Sequence, residues 1–99
     1  MVSKVSEITI SDVASYMRVD EYDENEIATY LNIAKSYISN YTGISADGEE
    51  INLDSYADFV IVVYILCQDM YDNRAMYVDS SNINKVVQTI LDMHTMNNL

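Results

Sequence analysis

Hydrophobic positions recur along this chain at helical intervals, and most of it can be divided into four helices. In the first, Val13, Tyr16 and Met17 fall at i, i+3 and i+4 behind Thr9, a plausible N-cap, with Asp12 three residues later near the positive end of the helix. This short helix is expected to end around Arg18 or Val19. The second is expected from about Glu24 to Tyr41, because Ile27, Leu31, Ala34, Ile38 and Tyr41 are spaced 4, 3, 4 and 3 along one face. Asp23 can cap it, and Gly43 stands where a left-handed residue would close it.

Thr42 to Asn52 reads as a polar loop with an Asp47-Gly48 turn signal, the segment expected to be mobile. From Leu53 to Met76 there is neither Gly nor Pro. The run Phe59–Cys67 is rich in β-branched residues, and taken alone it fits a buried strand as well as a buried helix. Tyr56, Ala57, Met70 and Tyr71 extend it in helical phase on both sides, which favours a central helix buried on nearly every side. A last amphipathic helix carries Ile83, Val86, Val87, Ile90, Leu91 and Met93, with Ser80 to Asn82 as cap candidates. The expected fold is all-α: one small domain of about four helices over residues 1–99, with a buried central helix.

Composition narrows the function. Five Lys and Arg stand against 16 Asp and Glu, a formal charge of −11 in a chain of 99 residues that is 49% hydrophobic. That much apolar surface separates it from disordered acidic segments. The charge opposes binding to phosphate backbones, whose affinity comes from cations that displace condensed counterions. The longest apolar run, Phe59–Cys67, is nine residues, against about 20 for a membrane-crossing helix. No secretion signal is evident at the start, and one cysteine cannot make an internal disulfide, so a soluble protein of a reducing cytoplasm is expected.

Candidate chemistry is sparse. His94 is the only imidazole and Cys67 lies in an apolar run, where a thiol behaves as a small hydrophobe. No nucleophile, base and orienting acid can be assembled from these, so no catalytic residue is assigned and His94 reads as an ordinary surface or interface histidine. Asp20, Asp23 and Glu24, and Asp47, Glu49 and Glu50, are acidic enough to consider for metal. Neither group fits the calcium-loop pattern, and helix capping and solvated charge account for them better. Gly-rich phosphate cradles are missing. No metal and no cofactor is expected.

The distinctive feature is nine Tyr against one Phe and no Trp. A tyrosine ring packs while its hydroxyl keeps a polar partner, which suits positions half dry and half wet. On the second helix Tyr30, Ile33, Tyr37 and Tyr41 form a stripe beside the main apolar face. Either a small core uses Tyr at its boundary, or the stripe is a subunit interface. Arg18 lies near Asp20 and Glu21, and Arg74 near Asp72, so ion pairing is the default for both. Exposed pairs of this kind contribute about 0 to 1 kcal/mol, whereas orienting two subunits would use Arg well.

The segment Ile8-Thr-Ile-Ser-Asp-Val-Ala-Ser-Tyr-Met-Arg-Val-Asp20, followed by Asp23-Glu24, Ala34, Tyr37-Ile38, Tyr41-Thr-Gly43 and Tyr71-Asp-Asn-Arg74, resembles the small head-tail connector proteins of tailed bacteriophages. These are also labelled phage DNA-packaging proteins. The closing Ile90-Leu-Asp-Met-His-Thr-Met-Asn-Asn-Leu99 is similar to one branch of that family, which ends in a short helix followed by Met-His and a small hydroxyl residue. The resemblance implies an all-α adaptor subunit of a dodecameric ring, located at the head–tail junction of the virion and in the bacterial cytoplasm before assembly. Its partners would be further copies of itself, the portal protein and the next connector or tail-completion protein. Genome DNA would pass through the lumen without specific binding, for which acidic subunits are suited because they offer phosphate no fixed counter-charge.

A ring needs head-to-tail contacts between two different patches. The candidates are the second-helix stripe, Tyr30, Ile33, Tyr37 and Tyr41, and a second patch formed by Tyr71, Arg74 and Tyr77. Assembly is expected to strengthen with salt, since closure concentrates like charge. A rival function of another class is an acidic DNA mimic that inhibits a DNA-binding host enzyme. It shares size and charge with this chain but does not explain the tyrosines.

Overall fold

The computed structural model describes residues 2–45 and 50–95. Its helices are α1 (Ile10–Met17), α2 (Glu24–Thr42), α3 (Phe59–Asn73) and α4 (Lys85–Met93), joined by short 3-10 turns at Val5–Glu7, Leu53–Ser55 and Ser80–Asn82. The fold is all-α, and among the described residues the only extended pairing is a single bridge between Ser45 and Asn52.

The caps explain where the first two helices begin. Thr9 and Asp12 form a reciprocal box: the Asp12 amide donates to Thr9 Oγ1 at 3.1 Å and the Thr9 amide to Asp12 Oδ2 at 2.9 Å. Asp23 Oδ1 accepts from the Asn25 amide at 2.8 Å at the start of α2, so this carboxylate is committed to capping. At the other end Gly43 takes φ 78°, and its amide donates to the Ser39 carbonyl. Thr42 and Ile44 beside it are buried, so the chain entering the following loop is anchored in the core. The Asp47-Gly48 turn and Glu49 lie outside the described residues.

α3 and α4 both start later than the apolar pattern suggests. Asn52 and Ser55 form their own cap around the 3-10 turn at Leu53–Ser55, and α3 begins only at Phe59. Asp79 caps the 3-10 turn at Ser80–Asn82, and Asn84, not a residue of Ser80–Asn82, is the N-cap of α4, accepting from the Val86 amide at 2.7 Å. In each case a polar side chain satisfies a local turn before the helix can propagate.

α3 is the central element and packs against α1, α2 and α4. Phe59, Val60, Val62, Val63, Leu66, Cys67 and Met70 are buried along it. They meet Val13 and Met17 of α1, Ile27, Leu31, Ala34 and Ile38 of α2, and Val87 and Leu91 of α4 in one core. One strip of α3 turns outward, where Ile61 is 38% exposed. No helix among the described residues is long and apolar enough to cross a membrane.

α1 and α3 end without glycine. Arg18 and Arg74 are their C-caps, both left-handed at φ 60° and 51°. A side chain with a Cβ is costly there, by about 1–2 kcal/mol, so each arginine invites a reason for its presence.

Candidate interaction faces

Two aromatic regions reach the surface. The first is built where α2 passes the end of α3. Tyr30 donates its hydroxyl to Glu26 Oε2 at 2.5 Å, and Arg74 Nη1 donates to the same oxygen at 2.7 Å. The Arg74 guanidinium lies 4.4 Å from the centre of the Tyr71 ring, which meets Tyr30 edge-on with centroids 6.4 Å apart. Arg74 thus reaches α2 instead of neighbouring Asp72, which accepts from Gln68. Its left-handed backbone is offset by what its side chain holds.

This cluster also fixes protonation. The Tyr30 hydroxyl and Arg74 stabilise the Glu26 carboxylate and hold it below the usual glutamate range. Burial, then the hydrogen bond to Glu26 and its charge, pushes Tyr30 up to about 12. Tyr30 is only 1% exposed. Its assignment to a subunit interface is therefore corrected: its ring and hydroxyl are both used inside the monomer.

The other stripe residues have mixed roles. Tyr41 donates to Asp92 Oδ1 at 2.5 Å, tying α2 to α4, and this bond, helped by burial, pushes its hydroxyl up to about 12. Tyr37 packs on Tyr41 with centroids 5.8 Å apart. Ile33 and Tyr37 line a shallow cleft together with Met76, Tyr77 and Val78 of the α3–α4 loop. Ile33 and Tyr37 of the α2 stripe and Tyr77 of the second group therefore share one face, where the sequence pattern suggested two patches. Met76 and Tyr77, 60% and 64% exposed, form its ridge.

Beyond that ridge lies a second cleft of about 470 Å³, shared by Tyr77, Val78, Asp69 and Asp79. Neither cleft has a Lys or Arg in its lining. Desolvation and neighbouring Asp72 raise the Asp69 carboxyl, whereas hydrogen bonds from Ser81 and Asn82 hold Asp79 low.

The second face lies on α1 and α3. Tyr16 and Tyr64 stack with centroids 4.9 Å apart and planes within 10°. Ile61 and Tyr64 line an apolar cleft of about 280 Å³ with Val2, Ala57 and Val60. Arg18 follows Tyr16 at the end of α1, exposed, and its guanidinium has no hydrogen-bond or ion-pair partner among the described residues. The expected pairing with Asp20 or Glu21 is absent.

Sequence reasoning missed this face because Tyr16 fits the phase of the core stripe of α1, and nothing local shows that Tyr64 lies against it. His94 has a structural position: its Nε2 is 2.9 Å from Asp58 Oδ2, and its ring sits 4.1 Å from Tyr56 and 5.0 Å from Phe59 between centroids. Cys67 is buried, and desolvation pushes its thiol up to about 12, which makes it inert as a nucleophile.

Comparison with protein-family models, with curated proteins and with solved structures returned no match.

Proposed function

We propose that the protein is a structural subunit of a ring adaptor at the head–tail junction of a tailed bacteriophage, between the portal and the next connector or tail component. The observation that carries this reading is the pair of exposed aromatic faces, one on α1 and α3 and one on α2 and the α3–α4 loop, which share no residue. Two unlike patches on one small subunit are what a head-to-tail ring requires. The ordered resemblance from Ile8-Thr-Ile-Ser to Tyr71-Asp-Asn-Arg74 supports the same reading. So does the charge of −11, which suits a channel that must let DNA slide without holding it.

The test is reconstitution. Purified protein incubated with the portal of the phage or prophage that encodes it should form rings visible by electron microscopy, seated on the portal. Failure to bind the portal, together with capture of a host nuclease or repressor, would replace this reading with the DNA mimic.

A further inference from the structure

Arg18 holds a left-handed backbone with φ 60°, a conformation that glycine or asparagine takes at lower cost. At Arg74 the same geometry is offset by the Glu26 ion pair and the Tyr71 ring. At Arg18 the turn is closed by backbone hydrogen bonds alone, from the Arg18 amide to the Ser15 carbonyl at 3.1 Å and from the Val19 amide to the Ala14 carbonyl at 3.0 Å. Glycine would make these equally well, and no side-chain contact among the described residues offsets the cost of the Arg18 Cβ. Attraction of its charge to the negative end of α1 is smaller than the left-handed penalty. A left-handed residue whose side chain has no partner among the described residues points to a contact outside the subunit.

The surroundings of Arg18 name that contact. Its neighbour Tyr16 is 40% exposed and stacked on Tyr64, so the end of α1 offers a rigid aromatic beside an unpaired cation, the composition that dominates protein interfaces. The Tyr77 face is the complement: an exposed aromatic ridge beside a cleft of about 470 Å³ that holds Asp69 and Asp79 and no basic residue. With 16 acids and five bases in the chain, a carboxylate-lined partner surface is supplied most directly by another copy.

We propose that the Tyr16–Arg18 end of α1 in one copy seats against the Tyr77 ridge of the next, with the Arg18 guanidinium entering the cleft beside Asp69 and Asp79. The contact is head-to-tail and uses each face once, so it repeats around a ring. Only that closure rests on the ring-adaptor reading; the pairing of faces stands on their geometry and charge.

The experiment is sedimentation of the full chain over a concentration series, with charge exchange across the contact. Arg18→Asp and Asp69→Arg alone should each weaken self-association by about tenfold or more. An equimolar mixture of the two variants should regain it, because each introduced charge then faces its opposite. Arg18→Gly separates structure from contact: it should raise the melting temperature while weakening association. A wild-type protein that associates while the variants match it, or while the mixture gains nothing, overturns this pairing and leaves the ring adaptor to the portal experiment. A wild-type chain that remains monomeric at millimolar concentration also overturns it, whatever the portal experiment gives.

Discussion

Asp58 and His94, 36 residues apart in sequence, are joined side chain to side chain at 2.9 Å, which fastens the end of α4 to the turn that opens α3. The His94 ring is held between Tyr56 and Phe59, so the bond has a fixed orientation. Replacing His94 by Ala should destabilise the fold by about 1–3 kcal/mol, the range for losing a part-buried hydrogen bond together with its packing. A double-mutant cycle with Asp58→Asn, followed by urea denaturation, should give a coupling of about 1 kcal/mol. Strict additivity would mean that the two side chains act independently.

Arg18→Gly should stabilise the isolated subunit by about 1 kcal/mol, because glycine meets no Cβ penalty in the left-handed region. For a chain of this size that corresponds to about 4–8 °C in melting temperature. Arg74→Gly should gain less, since it relieves the same backbone but gives up the Glu26 pair and the Tyr71 stack. Calorimetry of the two variants side by side checks the difference.

Both ends of the pH range carry a signed expectation. Tyr30 and Tyr41 are raised from 10 to about 12 in the folded protein, so the stability they add is complete below pH 10 and is lost as pH rises from 10 through about 12. Glu26 and Asp54 are lowered in the fold; their contribution is present above their ordinary values of 4.5 and 3.8 and disappears as pH falls below them. Tyr30→Phe should shift the alkaline limb of a circular-dichroism pH titration upward. It should also weaken the acid-sensitive contribution of Glu26, whose largest stabilising partner it removes.

Leu91 is fully buried where α4 meets the core, and Leu91→Ala should cost about 2–5 kcal/mol. Tyr77→Ala, at a position 64% exposed, should change monomer stability by no more than about 0.5 kcal/mol. If the Tyr77 face joins subunits, the second substitution should abolish association while leaving the unfolding curve in place.

Salt should strengthen self-association. At −11 per copy, long-range repulsion between subunits outweighs a few local ion pairs, and added electrolyte screens it within a Debye length of about 10 Å at 0.1 M. Sedimentation at low and high NaCl reads the sign directly. Dissociation on adding salt would mean that specific ion pairs dominate the contact.

Much of the architecture is visible in the residues themselves. Thr9, Asp23 and Gly43 mark their helix ends by chemistry that acts within a few positions, and the Ile27, Leu31, Ala34 and Ile38 spacing fixes which side of α2 is buried. The ends at Arg18 and Arg74 carry no such mark, because arginine gives no hint of a left-handed backbone. The starts of α3 and α4 were obscured because the nearest cap-forming side chains, Asn52 with Ser55, and Asp79, close separate 3-10 turns ahead of each helix. The candidate faces were legible only in part. A tyrosine surplus signals boundary positions, but whether Tyr30 is interior, or Tyr16 lies against Tyr64, depends on partners 41 and 48 residues distant, Tyr71 and Tyr64.

The sole thiol of the chain is sealed in the middle of α3, at 0% exposure and with its ionisation suppressed. Maleimide and iodoacetamide reagents should therefore leave the native fold untouched, and a cysteine introduced at any surface position would take up a fluorophore or spin label by itself. The wild-type sequence is thus ready for distance measurements between neighbouring copies, with no prior removal of a competing sulfhydryl.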